Sequence, residues 1–421
     1  MTTLCSEKRT STQPTLVIFI SLFQNANRFF TEEEEIQLII GHWVRTLNIK
    51  LGWIQDFDTL VVNYASTIFM LDTFRSSSKL LKTFFGHTKQ VWSIDYSTFN
   101  DSKFICSGSG DKTVRVWDLE TNKQIQSFHE YVNDVYCVKF SPYHIHNHRR
   151  NVICSSSNNN TVRFLDVKDS QQLQVFNGHT AWVCGIEFSP FNGNRYVCSG
   201  SGDKTIRLWD IETSKSLHIF NRHTNVVWCV DFSPLQSNNS DNNKNNSIGV
   251  VGGNGYTICS GSNDKTIRIW DIETTKQLIT FIGHELLVMS IKYGSNELLN
   301  TILSGSSDKS VRLWDIRSGK QIQVFNGHTN WVNAVEFSPF LVNNDNEVGG
   351  SSNVICSGSK DNTIRFWDIR SNNKELHLIK EDDKEDNGIF CLKFLQLKNN
   401  SRSCYINLCY GSKKGPIRIW G

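Results

Sequence analysis

Residues 198–212 read CSGSGDKTIRLWDIE, and nearly the same phrase returns at 106–120 (CSGSGDKTVRVWDLE), 259–273 (CSGSNDKTIRIWDIE), 303–317 (LSGSSDKSVRLWDIR) and 356–370 (CSGSKDNTIRFWDIR). Two eroded copies, CSSSNNNTVRFLDVK (154–168) and CYGSKKGPIRIWG (409–421), make the series seven. Around the 198–212 copy the chain reads as four strands. VCGIEFSP (183–190) alternates and stops at Pro190, RYVCSGS (195–201) leads into a tight turn at Gly202–Asp203, and TIRLWDI (205–211) and SLHIF (216–220) follow. Period-2 alternation bounded by Gly, Pro, Asn and Asp marks half-buried strands and their turns. A four-stranded sheet of this size cannot bury both faces alone, so each unit must stack on its neighbours.

Units of roughly 40–45 residues, with Gly-His near the start and Trp-Asp near the end, are the sign of propeller blades. The last copy stops at Trp420–Gly421, one strand short. The missing strand has a counterpart ahead of the first unit: KLLKTF (79–84) matches KQIQSF (123–128), SLHIF (216–220) and KQIQVF (320–325). The sequence therefore predicts an all-β, seven-bladed β-propeller over 79–421, its last blade completed by an N-terminal strand. Radial closure of that kind leaves few exposed sheet edges.

The N-terminal residues read differently. Residues 1–30 are expected to be weakly ordered and 31–78 to form a small helical appendage. Thr31 followed by Glu34 makes a capping box, Ile36, Ile39, Ile40, Trp43, Val44 and Leu47 fall at helical spacing, and Phe57, Leu60, Val61 and Tyr64 suggest a second short helix. The alternative is an eighth blade, since Gly41–His42 precede Gly86–His87 by one period and STIFMLD (66–72) faintly echoes TIRLWDI. Asn-, Gly- and Ser-rich insertions at 236–255 and 341–353 fall between the first and second strands of their units and read as rim loops.

Composition narrows the function. Hydrophobic residues make up 38% of the chain, enough for a sizeable core, and no run is long enough for a membrane-spanning helix. The apolar stretch Leu16–Phe23 follows Lys8 and Arg9 but lacks a convincing cleavage site and reads as a strand or helix segment. The charges nearly balance, 44 basic against 41 acidic for a net +3, which argues against general nucleic-acid binding. Five of the twelve cysteines (Cys106, Cys154, Cys198, Cys259, Cys356) recur at one place in successive units, too far apart to pair. They read as small buried residues, and the expected location is cytoplasmic or nuclear. No P-loop, dinucleotide fingerprint or His-Glu-x-x-His is present, and the HIHNH run at 144–148 has no accompanying Cys or acidic set. No enzyme, cofactor or metal site is expected.

The Gly-His and Trp-Asp pattern resembles the WD-repeat family, whose members include the G-protein beta subunit, F-box substrate receptors and a histone-methyltransferase scaffold. The match covers 79–421. The resemblance implies a buried His–Ser–Asp–Trp hydrogen-bonded set in each blade. Carried over, the sets are His87, Ser107, Asp111 and Trp117; His179, Ser199, Asp203 and Trp209; His223, Ser260, Asp264 and Trp270; His284, Ser304, Asp308 and Trp314; and His328, Ser357, Asp361 and Trp367. A Ser-His-Asp constellation also suits a hydrolase. Its fivefold repetition and the indole at its end argue for structure instead. The second unit has Tyr131, Asn159 and Leu165 at these places, and the seventh has Lys414 for Asp and no His in register. These two blades are expected to be the least well fixed.

Related propellers line the channel mouth with the residue after the first Val of the first strand. Here that position is Trp92, Tyr136, Cys184, Trp228, Met289, Asn333 and Phe390, with Gln90, Asp134, Trp182, Val226, Leu287 and Trp331 just outside. Aromatics beside Asp and Asn have the composition of a peptide-binding hot spot. The acidic run EDDKED (381–386) precedes the first strand of the last blade, so Glu381, Asp382 and Asp383 are expected beside the mouth and to favour a basic peptide. The expected function is a non-enzymatic protein–protein interaction scaffold, a member of a multiprotein complex. The alternatives are RNA or DNA binding, with His148, Arg149 and Arg150 as a small basic cluster, and, least favoured, an enzyme.

Overall fold

The computed structural model describes residues 71, 74–76, 78–99, 102–129, 131–234, 256–294, 298–339, 353–370, 375–381, 386–398 and 404–421. The chain divides into Met1–Met70 and Leu71–Gly421. The helices expected over 31–64, most of both Asn-rich insertions, and Asp382 and Asp383 lie outside the described residues.

Seven antiparallel four-stranded sheets make up a seven-bladed propeller. In the first blade the strands run Val91–Phe99, Ser102–Ser109, Val114–Asp118 and Lys123–Phe128, and the others repeat this meander. The last blade is assembled from both ends of the propeller: Ile389–Lys398, Cys404–Ser412, Ile417–Trp420 and then Leu80–Phe84 on the outside. Leu80 pairs with Trp420 and Phe84 with Ile417. Lys79 and Gly421 exchange backbone hydrogen bonds of 3.3 Å. The Cys391 thiol reaches the Val91 carbonyl at 3.3 Å, joining blade seven to blade one. The ring is therefore closed at seven, with no gap in which an eighth blade could sit.

The repeated Ser-Gly-Ser phrase has a steric origin at the seams. A Cβ at Gly108 would lie 2.9 Å from methyls of Val135 and Val138 in the next blade, and one at Gly261 would lie 2.6 Å from Val288. Side chains there would wedge the blades apart. The repeated tryptophans pack against the neighbouring blade. Trp117 packs on Phe84 (5.5 Å between ring centroids), Trp209 on Phe176 (5.4 Å) and Trp314 on Phe281 (5.4 Å), each phenylalanine lying at or next to the end of the outer strand of the preceding blade. Such aromatic pairs contribute about 0.5–1.5 kcal/mol beyond their area burial. Ten cysteines are free thiols, and burial raises the thiol pKa of Cys106, Cys198 and Cys356 well above the ordinary value.

Candidate functional site

Two sets of connections converge on one face of the disc: the loops ahead of each first strand and the turns between second and third strands. Five blades bolt these together. His87 Nδ1 lies 2.8 Å from Asp111 Oδ2, its Nε2 lies 2.7 Å from Ser107 Oγ, and the Trp117 indole donates to the same Oγ at 2.9 Å. The corresponding distances in blades three to six are 2.7–2.9 Å. Each proton finds an acceptor if Trp donates to Ser, Ser to His Nε2 and His Nδ1–H to Asp. Burial holds His87, His223 and His284 neutral by lowering their pKa against the pull of their aspartates. Burial alone would raise Asp111, but the hydrogen bonds from His87, the Thr113 hydroxyl and the Thr88 N–H outweigh it and hold the carboxyl well below its usual range. The serines are fully buried, so none is placed to attack a substrate.

Blades two and seven use other chemistry. In blade two the Tyr131 hydroxyl bonds Ser155 Oγ, and Arg163 lies over the tyrosine ring at 5.4 Å. The His, Asp and Trp of the other blades are absent here together, and the phenol keeps one bond to the remaining serine. In blade seven the acid moves to the loop. Asp386, fully buried, accepts from Arg418 Nε at 3.1 Å. Lys414, at the register of Asp111, is exposed and its backbone N–H reaches the Asp386 carbonyl.

This places Glu381 differently from the sequence reading. Its Oε1 is buried and turned into blade seven toward the Tyr410 hydroxyl and Trp420 indole, none of the three completing a well-formed hydrogen bond among the described residues. Burial raises its pKa, with Tyr410 opposing and Asp386 adding. Glu381 is therefore not a solvent-facing acid for a partner. The reason is that Tyr410 replaces the network serine and leaves polar groups inside the blade that draw the carboxyl in.

The acid at the mouth is Asp134. Its Oδ2 is approached by Trp92 Nε1 at 3.4 Å and Gln90 Nε2 at 3.5 Å. Gln90 folds over Gly110, where a Cβ would come within 2.6 Å of its amide. The aromatics form an arc rather than an even ring. Trp92 packs edge-on against Phe390 (5.0 Å) and tilted against Tyr136 (5.6 Å), and Tyr136 meets Trp228 (6.0 Å) across blade three. That last contact spans a blade because Cys184 is small and buried and Gly185 allows close approach, a Cβ there falling 2.8 Å from the Trp228 carbonyl. Burial pushes the Tyr136 phenol up to about 12, with Asp134 adding to the shift. The Trp228 indole N–H is buried without an acceptor among the described residues. Met289 and Asn333, at the same register in blades five and six, are half-buried, Asn333 donating to the Ile389 carbonyl at 2.8 Å.

Outside the arc, Trp182 and Trp331 are 36% and 39% exposed. Trp182 lies on Gly202, and Lys360 Nζ stands 4.6 Å from the Trp331 ring. Val132 and Leu286 are exposed in the equivalent loops of blades two and five and escaped the sequence reading, since neither stands in a repeated motif. Arg150 of the small basic cluster is bonded to Asp166 (2.8 Å) and Asp169 (2.6 Å).

A second group also escaped it. Three residues past each mouth position stand Asp95, Lys139, Glu187, Asp231, Lys292, Glu336 and Lys393. Lys139 bonds Glu187 at 2.7 Å, Lys292 reaches Glu187 at 3.7 Å from two blades away, and Lys393 reaches Asp95 at 3.7 Å. The first strands thus carry an ionic layer as well as an aromatic one. The shared register was the available signal, hidden because the residues differ in sign and type.

A family model for the WD domain, G-beta repeat, matches residues 78–118, 122–166, 170–210, 214–271, 275–315 and 319–368. The divergent strands of the seventh blade fall outside these matches. A guanine nucleotide-binding protein subunit beta of Zea mays is 40% identical over 58 residues, 14% of this chain and 15% of that protein. The peroxisomal targeting signal 2 receptor of Mus musculus is 32% identical over 63 residues, 15% and 20% of the two chains. Eukaryotic translation initiation factor 3 subunit I of Homo sapiens is 44% identical over 45 residues, 11% and 13%. The matched segments span a fifth or less of each relative's length.

Proposed function

The chain belongs to the WD-repeat family, and we propose from that premise that it is a non-enzymatic protein-interaction scaffold that binds a peptide segment of a partner at the channel mouth. The observation that carries the reading is the aromatic arc Phe390–Trp92–Tyr136–Trp228 with one carboxylate, Asp134, beside it. Partly exposed rings near a carboxylate suit a cationic side chain, which gains about 0.5–2 kcal/mol over a ring face depending on desolvation. Trp182, ahead of blade three, and Trp331, ahead of blade six, offer large exposed anchors, the kind of residue that dominates binding energy in interfaces. The basic-peptide preference rests on Asp134, since Glu381 and Asp386 face inward.

Membership of a multiprotein complex follows from the same reading. The relatives named above support it only as kinds of protein, the matched segments being short. Among the described residues no helix is long and apolar enough to cross a membrane.

The test is fluorescence anisotropy with a set of Arg- or Lys-containing peptides and their Glu-substituted counterparts, on wild type, Trp331→Ala, Trp182→Ala and Asp134→Asn. We expect measurable binding of some basic peptides, a loss of about 10- to 100-fold on removing an anchoring Trp, and a smaller loss with Asp134→Asn. Equal binding of basic and acidic peptides, or binding indifferent to all three substitutions, overturns the site.

A further inference from the structure

The turns between second and third strands carry a charge pattern that the networks do not use. In blades one, three, four and five the turn is tied to the loop at the mouth. Gly110 N–H donates to the Gln90 carbonyl at 2.9 Å, Gly202 to Trp182 at 2.8 Å, Asn263 to Val226 at 2.8 Å and Ser307 to Leu287 at 2.9 Å. Two residues further on stand Lys112, Lys204, Lys265 and Lys309, all exposed. Each sheet runs outward from its first strand, so these lysines lie outside the mouth residues on the same face. Their φ angles are 70° or 71°, in the left-handed region. Asn and Gly take up that backbone at lower cost than lysine, and the other three blades use them there: Asn160, Asn362 and Gly415. The turn takes from each lysine only its backbone N–H, given to the carbonyl of Ser109, Ser201, Ser262 or Ser306. None of the four ammonium groups makes a hydrogen bond or ion pair among the described residues.

The acids of this face are occupied within it. Asp111, Asp264 and Asp308 are bonded to their histidines and faced by Arg115 at 3.9 Å, Arg268 at 3.7 Å and Arg312 at 3.6 Å. Glu381 and Asp386 turn inward. In the loops ahead of the first strands Lys89 and Arg222 are exposed, and Glu285 is the one exposed acid among the described residues. The turns between third and fourth strands, on the opposite face, mix their signs: Glu120 stands with Lys123, Glu212 with Lys215 and Glu273 with Lys276, all exposed. Cations without acids are thus a property of the mouth-side turns.

We propose that Lys112, Lys204, Lys265 and Lys309 form an outer docking ring for a partner protein that presents Asp and Glu around the segment entering the mouth. The inference rests on the reading that a protein docks at this face, and adds the charge of what surrounds that segment. Val132 and Leu286 are exposed on the same face, apolar surface that a protein covers and a phosphate backbone does not. The single lysine of each turn, interrupted by Asn in blades two and six, makes no continuous basic stripe for a nucleic acid. Complementary charge at the rim of an interface speeds encounter and fixes orientation, and it weakens with salt.

The test is fluorescence anisotropy of a labelled polyglutamate peptide on the full-length protein at low ionic strength. Wild type should bind it, more weakly as salt is raised. Lys112→Asn, Lys204→Asn, Lys265→Asn and Lys309→Asn combined should lose about 10-fold or more in affinity. Asn already stands at this place in two blades, so the variant should melt at or above the wild-type temperature. A lower melting temperature would show that the lysines serve the turn itself and overturns the proposal. Lys123→Gln, Lys215→Gln, Lys276→Gln and Lys320→Gln combined remove the same charge from the opposite face of the same four blades, and should bind as wild type does. Equal loss in the two combinations reduces the effect to net charge and overturns the ring, as does a wild type that fails to bind. Trp182→Ala and Trp331→Ala, on which the peptide site depends, should leave polyglutamate binding unchanged, so that ring and arc can fail separately. A single-stranded oligonucleotide held more tightly than polyglutamate, and released by the same four Asn substitutions, overturns the assignment to a protein.

Discussion

Blade three and blade two differ by a handful of side chains and are held by different means. In blade three, His179, Ser199, Asp203 and Trp209 form an unbroken chain of bonds at 2.8 Å, and Asp203 also caps the turn by accepting from Thr180 N–H and Thr205 N–H at 3.0 Å. In blade two, Leu165 fills the tryptophan's place, fully buried, and Tyr131 meets Ser155 directly. Blade seven is a third solution, with an internal Asp386–Arg418 pair and with Glu381 drawn toward Tyr410. The repeat therefore demands that the loop, the turn and the seam be tied together, and tolerates several chemistries for doing so. A half-complete network is the state to avoid, because a buried polar group without a partner costs more than an apolar one.

The largest effect should come from undoing the closure that all blades depend on. Removing residues through Phe84 uncovers the Ile417–Trp420 edge and strips Phe84 from Trp117. We expect loss of the cooperative thermal transition followed by circular dichroism. Survival of that transition within a few degrees of wild type would show that blade seven stands on three strands, and that its unusual interior suffices.

Next in size is the contrast between the two blades. Asp203→Ala leaves His179 without its acceptor and frees the turn, and should cost about 2–3 kcal/mol in denaturant unfolding. Asn159→Ala at the equivalent place in blade two should cost under about 0.5 kcal/mol, since no histidine waits for it. Equal costs would mean that the turn, not the network, is what the aspartate serves. Building the missing set into blade two sharpens this. Leu165→Trp alone overfills the seam and should destabilise by about 1–3 kcal/mol. Combined with Tyr131→His and Asn159→Asp, part of that loss should return, as a coupling of about 0.5–3 kcal/mol measured by mutant cycles.

How much of this was legible beforehand depends on register. The seven blades could be read because the phrase ending in Trp-Asp recurs, the strand at 79–84 because it resembles the outer strands of other units, and the five full networks because the family resemblance says which residues to look for, the histidines standing at different offsets in blades four and six. Glu381 and Asp386 could not, because the residues around them have no counterpart in the other blades, and a run of acids reads as a solvated face until the structure shows two of them turned inward. The Tyr136–Trp228 contact was equally hidden: the two rings belong to blades two and four, and only the small Cys184 and Gly185 between them let the rings meet. The ionic layer was in register but not in kind, and a search for similar residues passes over it.

Acid should weaken the intact blades selectively. His87, His223 and His284 are held neutral in the folded protein, whereas in the unfolded chain they take up protons below 6.5. Unfolding therefore binds protons, and stability falls as pH drops through that value. The paired aspartates add a second loss when pH falls below the ordinary 3.8, since their folded values lie lower still. His223→Gln should shallow the decline of melting temperature between about pH 7 and about pH 5. An unchanged slope would assign the acid sensitivity to groups outside the networks.

A single hydroxyl tests the blade-two fastening. Tyr131→Phe removes one hydroxyl from a residue that is 4% exposed and leaves its packing, and the Arg163 contact, in place. Ser155 keeps the Arg163 carbonyl at 3.3 Å as an acceptor, so its own hydroxyl is not stranded. The cost should therefore be that of a single neutral hydrogen bond, about 1 kcal/mol. A cost approaching that of Asp203→Ala would mean that the phenol does the work of the whole missing set, and that blade two is fastened as firmly as its neighbours by one side chain. A cost near zero would assign the seam to Leu165 and the valines around it, and make blade two an apolar blade in a propeller of polar ones.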